Sequence, residues 1–156
     1  MAIVTFYRGD PANAPKTTMP AHLGANAIIT WKGKLLLERR RDSDTWGLIG
    51  GGVKKTESSL EGMIREIYEE LGLRVDPGKL RKLRVYGEPG RVAAFRDGSV
   101  WRMVIVVYGL ELEQEPVLRL SAESRELRFF TREEIRSIRI PVTHEDIVED
   151  WFLNTK

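Results

Sequence analysis

The chain has 156 residues, no cysteine, and 25 Lys+Arg against 23 Asp+Glu for a formal net charge of +2. That length suits one ordinary domain that buries its own core, and the lack of thiols excludes disulfides, thiolate metal sites and thiol nucleophiles. The near-balanced charge excludes a massive basic field despite a pI near 9.0, and no run reaches the roughly 18 apolar residues that a membrane span needs.

Residues 3–7 form a short apolar run that Arg8 and Asp10 interrupt, too brief for a secretory signal, which points to a cytoplasmic protein. Residues 10–20 hold three prolines and no apolar period, so 1–20 reads as an extended leader to a single domain spanning 1–156. Residues 22–30 and 34–38 then read as two strands joined at Lys32-Gly33, a hairpin. A polar connection, 39–44, leads to Trp46 through Ile49 and three glycines, Gly50, Gly51 and Gly52. Ser58 opens a helix that runs to about Leu71 and ends at Gly72. Residues 80–86 and 100–112 read as strands, with 87–99 a loop turning at Asp97-Gly98. A strand at 126–130 follows, then a short helix capped by Thr131 with Glu134 three residues on, and a last helix capped by Thr143 and running to Phe152. The pattern predicts a mixed β-sheet sandwiched by helices.

On the 58–71 helix, Leu60, Ile64, Ile67 and Leu71 fall into one apolar stripe that faces the sheet. Glu66, Glu69 and Glu70, at i, i+3 and i+4, gather on another face, where like charges repel by a few tenths of a kcal/mol, ~0.2–0.5. A hard divalent cation gives a reason to gather them, since Mg²⁺ takes oxygen ligands at about 2.1 Å and accepts phosphate oxygens in its remaining positions. Arg65 is placed to brace these carboxylates, and the glycines can turn a backbone carbonyl towards the same ion. Glu57 is placed either to cap first-turn amides or to reach the cluster through water.

Gly51, Glu57, Arg65-Glu66-Ile67, Glu69-Glu70 and Gly72-Leu73 occupy every fixed position of the Nudix box, and the chain resembles that family in order and spacing from about residue 23 to 130. Average residue frequencies put a chance match on the order of 10⁻⁷, so the resemblance is specific. It implies an α/β/α sandwich with a mixed β-sheet, in which Glu66, Glu69, Glu70 and the Gly50 carbonyl bind Mg²⁺ or Mn²⁺. Arg65 would orient Glu66, and Glu57 would support the cluster. The implied reaction is hydrolysis of the diphosphate linkage in a nucleoside diphosphate bound to another moiety. The base is a box glutamate or one from a later loop, for which Glu123 is the candidate. Ile49 stands where the family often has proline, and Lys54-Lys55-Thr56 where an acidic residue, proline and glycine are frequent; none of these is a fixed position.

Arg39 is the arginine of the 39–41 run expected to reach substrate, and Trp46 is expected either to stack on a base or to pack beneath the turn. Tyr86, Phe95 and Trp101 flank the 87–99 loop as candidates for a nucleoside pocket, with core filling favoured for Tyr86. His22 and His144 read as structural or exposed. Pro89 stands sixteen residues after Leu73, a spacing common in ADP-ribose-cleaving members, and tilts the expected substrate towards ADP-ribose or a nucleotide sugar. The alternatives are a MutT-like nucleoside triphosphate pyrophosphohydrolase and a non-catalytic nucleotide-sensing module. No concentrated basic run marks a nucleic-acid groove, and a homodimer is left open.

Overall fold

The computed structural model describes residues 4–41 and 43–154. Met1–Ile3, Asp42 and Thr155–Lys156 lie outside the described residues, and with them the start of the 3–7 apolar run and one residue of the 39–44 connection.

Nine strands make one mixed sheet: β1 (Val4–Tyr7), β2 (His22–Trp31), β3 (Lys34–Arg40), β4 (Trp46–Gly47), β5 (Ile49–Gly52), β6 (Arg81–Tyr86), β7 (Val92–Phe95), β8 (Val100–Leu112) and β9 (Ser124–Phe130). The long β2 and β8 lie side by side in parallel, from His22↔Met103 to Trp31↔Leu112. The hairpin at Lys32-Gly33 is present, with Thr30↔Leu35 and Trp31↔Lys34 in register. β2 also carries β5 antiparallel to it, so the three glycines are strand residues rather than a free loop.

Both faces of the sheet are covered, which is why its middle strands read as nearly unbroken apolar runs. Ala25, Ala27, Ile29, Leu36, Val106 and Tyr108 face helix α1 (Ser59–Leu71), meeting its Met63, Ile67 and Leu71. Alternate residues, Ile28, Leu35, Leu37, Ile105 and Val107, face Ile135 of α2 (Arg132–Ile135) and Ile147 and Val148 of α3 (Val142–Val148). The predicted stripe is therefore the buried one, with Leu60 and Ile64 at its margin. Ser58 caps α1 in a capping box with Glu61, and Gly72 ends it in a left-handed conformation.

Three expectations need correcting. Residues 1–20 are not wholly a leader, because Val4–Tyr7 pairs with β7, Val4 opposite Phe95 and Tyr7 opposite Val92. The same pairing shows that 87–99 is not all loop. Each strand has only four residues, too few for alternation to register, and each is stabilised by partners distant in sequence. The last helix is not capped by Thr143. Pro141 takes the cap position, and Thr143 is a buried residue inside the helix, which continues as a π-turn over Glu149–Leu153. Among the described residues no helix is long and apolar enough to cross a membrane.

Candidate active site

Strand β5 and helix α1 meet along one edge through Glu66 and Glu70, and the glycines allow the contact. At Gly50 the backbone has φ +148°, and a Cβ there would lie 2.0 Å from the Ala25 carbonyl oxygen. At Gly51 a Cβ would lie 2.7 Å from Glu66 Oε1, so the Glu66 carboxylate rests directly on the glycine backbone. The Gly50 amide donates to Glu70 Oε2 at 3.4 Å. Two of the box carboxylates are thus seated against the glycine strand from the helix side.

Arg65 organises the rest. Its Nη2 and Nε donate to Glu57 at 2.6 and 3.0 Å, its Nη1 donates to Glu66 at 2.9 Å and Glu69 at 3.0 Å, and Nη2 also donates to the Gly52 carbonyl at 2.9 Å. Arg65 hydrogen bonds, with the Lys54 amide second, hold the Glu57 carboxyl down at about 2, while Glu57 in turn raises Arg65 further above its ordinary value. Of the two readings open for Glu57, first-turn capping falls to Ser58 instead, and Glu57 joins the 54–57 turn to Arg65.

Glu70 points inward and is buried, beside a carboxylate that the motif does not contain. Glu38 on β3 is 4% exposed, accepts from Ser124 Oγ at 2.7 Å and lies 3.7 Å from Arg40. Burial raises the carboxyl pKa of both, and Glu38 raises that of Glu70 further by its charge and by a carboxyl–carboxyl hydrogen bond. Glu123 is exposed on the loop before β9, and its charge adds to the field that raises Glu38.

Among the described residues no three such side chains already stand as a closed metal cage. The reason is visible in the contacts: Glu66 and Glu69 are turned to Arg65, while Glu70 is turned to Glu38. The donor set nevertheless fits a hard divalent ion, being all oxygen, concentrated in negative charge and cradled by glycines that leave no side chain in the way.

A cavity of about 210 Å³ opens beside the same glycine strand. Gly50–Gly52 form one side, Val4, Phe6, Phe95 and Met103 an apolar side, and His22, Asn26, Arg40, Thr143 and His144 the polar remainder. Phe95 is one of its lining residues. Tyr86 fills core, and Trp101 packs edge-on against His22 with ring centroids 6.0 Å apart. The substrate-binding expectations for Arg39 and Trp46 do not match this cavity. Arg39 pairs with Asp44 at 3.0 Å, and its neighbour Arg40 lines the cavity instead, on a strand whose register shifts between the two. Trp46 packs edge-on to Phe130 at 4.8 Å under the Arg128 guanidinium. Pro89 borders a separate groove with Pro11 and Pro15. A larger open groove, about 420 Å³, lies beyond the far end of α1 among Leu73–Asp76 and Leu110–Pro116, and holds none of the site carboxylates.

His144 is buried and accepts the Leu48 amide hydrogen on Nδ1 at 3.2 Å, which makes it neutral and ties α3 to the approach of the glycine strand. Burial first, then the charges of Arg40 and Arg91, lowers its pKa from 6.5 to about 3. A depressed folded value means stability that is full above pH 6.5 and is lost as pH falls towards 3. The expected loss from this group between pH 6.5 and 5 is about 2 kcal/mol. Urea denaturation of the native protein and His144→Asn across that range checks it: the difference between the two should move by this amount, and a flat difference would refute it.

The comparisons agree with the geometry. A family model described as NUDIX domain matches residues 20–151. A MutT-like protein of Streptomyces ambofaciens is 34% identical over 75 residues, 48% of this chain and 49% of that one, so the match spans about half the length of that relative. An uncharacterized Nudix hydrolase of Listeria monocytogenes is 27% identical over 157 residues, 96% of this chain and 83% of that one. Among solved structures, a bifunctional NMN adenylyltransferase/ADP ribose pyrophosphatase of Francisella tularensis, complexed with AMP and a manganese ion, superposes with TM-score 0.68 at 18% identity. That likeness covers 89% of this chain and 42% of the other, and shows a shared fold.

Proposed function

Because the chain belongs to the Nudix family of hydrolases, we propose that it hydrolyses the diphosphate linkage of a nucleoside diphosphate bound to another group, with Mg²⁺ or Mn²⁺ as cofactor. The observation that carries this reading is the placement of the cavity. One side of it is the Gly50–Gly52 strand, on which Glu66 and Glu70 also rest, so a diphosphate at the glycines would leave its nucleoside among Val4, Phe6 and Phe95.

Glu66, Glu69, Glu70 and the Gly50 carbonyl are the proposed ligands. Bound there, a divalent cation would neutralise the diphosphate, acidify a water and stabilise the leaving phosphate. The chain's own residues do the positioning. Arg65 holds Glu66 and Glu69 in place from one side and anchors the glycine strand at Gly52 on the other. Attack by water forms one P–O bond as the bridging P–O bond breaks, and the water proton passes to a box glutamate or to Glu123.

An ADP-ribose-like compound or nucleotide sugar is the favoured substrate. Support comes from the Pro89 spacing and from the Francisella protein, a bifunctional NMN adenylyltransferase/ADP ribose pyrophosphatase. A nucleoside triphosphate is the runner-up. A sensing module without catalysis would have no need of the complete set of Arg65, Glu66, Glu69 and Glu70, of which Arg65 draws Glu66 and Glu69 together while Glu70 rests on the Gly50 amide.

The test is a panel of nucleotides incubated with Mg²⁺ and scored for phosphate, pyrophosphate and nucleoside monophosphate. The expected result is monophosphate release from ADP-ribose or a nucleotide sugar. Pyrophosphate release from triphosphates alone would move the substrate to the runner-up. No cleavage anywhere in the panel would overturn the catalytic reading.

A further inference from the structure

The apolar wall of the cavity is made by strands β1 and β7, and its floor by the first turn of α3, elements that share no backbone ladder. What joins them is Arg91, which precedes β7. Its side chain is fully buried, with Nη1 donating to the Thr143 carbonyl and Nη2 paired with Asp146 and, at 2.7 Å, with Glu88. The Tyr86 ring lies 5.3 Å away beneath the guanidinium. Its backbone belongs to the same junction, since the Arg91 carbonyl accepts the Met103 amide at 2.8 Å and Met103 itself lines the cavity.

A second arginine repeats the arrangement from β1. Arg8, one residue past the strand, donates through Nε to the Val142 carbonyl at 2.9 Å and lies 3.5 Å from Glu145 and 3.8 Å from Asp146. The two chain segments that carry these arginines touch: a Cβ on Gly90 would lie 1.8 Å from the Gly9 carbonyl oxygen. Arg91 Nε is also buried without a hydrogen-bond partner. An ordinary core contact would not keep an arginine at the cost of an unsatisfied donor and a buried charge.

We propose that Arg91, with Arg8 in support, is a positioning residue for nucleoside recognition: it fixes the β1–β7 wall, with Val4, Phe6 and Phe95, at the spacing from α3 that admits a nucleobase. The inference rests on the reading of the cavity as the nucleotide site. Neither arginine touches the carboxylate cluster, so the effect falls on substrate binding and leaves the metal and the chemical step alone. The pair acts as a spacer between two walls. Losing it lets the apolar side collapse or splay, and the base loses its contacts.

The experiment uses the full chain and three variants, Arg91→Met, Arg91→Lys and Arg8→Ala. It measures kcat and KM for ADP-ribose with Mg²⁺, the AMP dissociation constant by calorimetry with Mg²⁺, and Mn²⁺ affinity without nucleotide. Arg91→Met should raise KM and the AMP dissociation constant about tenfold or more, with kcat within about threefold and Mn²⁺ affinity unchanged. Arg91→Lys, which keeps the charge and one donor direction, should recover part of the loss, and Arg8→Ala should weaken AMP by about threefold. Should Arg91→Met lose its near-ultraviolet circular dichroism, Arg91→Lys and Arg8→Ala decide. The proposal is overturned if the folded variants bind AMP within about 1.5-fold of the native protein, if kcat falls while KM holds, if Mn²⁺ weakens in parallel, or if the native protein binds no AMP. A native protein that binds AMP in the expected pattern but cuts nothing refutes the catalytic reading alone. Cleavage with unchanged AMP binding in the variants refutes this inference alone.

Discussion

Glu70→Gln should cut substrate about 10³-fold more slowly than the native protein while remaining folded, because an amide keeps the shape of the side chain and removes an anionic ligand. The effect is expected in kcat and in metal affinity together, since Glu70 is the box carboxylate already seated on the Gly50 amide. A second consequence runs in the opposite direction. Burial, and then the charge of Glu38, pushes the Glu70 carboxyl up to about 10. A raised folded value gives stability that is present below the unfolded value of 4.5 and is lost as pH rises towards 10. In chelator, therefore, the native protein should lose stability between pH 6 and 9, and Glu70→Gln should lose less, by roughly 1–3 kcal/mol at the upper end. Initial rates with Mg²⁺ and thermal melts with chelator check both halves. A variant that is both fast and no more stable would show that Glu70 neither holds the cation nor bears the burial cost.

Gly50→Ala should destabilise the fold by about 3 kcal/mol or more. Two independent penalties meet there. The φ of +148° is one that residues with a Cβ rarely adopt, and the added methyl would stand 2.0 Å from the Ala25 carbonyl, 2.7 Å from Asn26 Nδ2 and 2.8 Å from Asn26 Cα. Two of these three are backbone atoms of β2, so relief requires β5 to move off its partner. That would also strip the Asn26 amide of the Leu48 and Ile49 carbonyls it donates to, at 3.4 Å each. Gly98→Ala supplies the control, with a φ of +90° but nothing within 4 Å of the new methyl, and should cost only about 1 kcal/mol. Urea melts of the two variants test the contrast. Similar losses at both positions would mean that backbone strain alone, and not the approach to β2, governs Gly50.

The helix and its carboxylates were legible because their determinants are local. Ser58, Glu61 and Gly72 bound the helix within its own sequence, and the i, i+3, i+4 spacing of Glu66, Glu69 and Glu70 needs no tertiary information. The glycines were legible as a feature but not as a strand, since their pairing with residues 24–27 depends on a partner that the local sequence does not name. Glu38 escaped notice for the same reason. It sits in an apolar strand like any solvent-edge residue, and only the packing of α1 brings Glu70 against it. Arg39 and Arg40 are adjacent, and adjacent strand residues face opposite ways, so which of the two lines the cavity depends on the pairing of β3 in the sheet. The β1–β7 wall was the least legible part, built from two four-residue strands whose fastening is a pair of arginines gripping a helix far away in sequence.

The parallel union of β2 and β8 bears on the order in which the molecule can be made. Along its whole length β2 waits for a partner that ends at Leu112, so a chain emerging from the ribosome exposes one unpaired backbone edge of that strand until β8 has been made. By then β5 and α1 already exist, and their contacts with β2 are available early. The carboxylate cradle therefore has the means to assemble before the cavity, whose floor on α3 follows β8 in the chain. A nascent chain paused before β8 would carry the α1 carboxylates beside an open strand edge that invites a chaperone or another copy of itself.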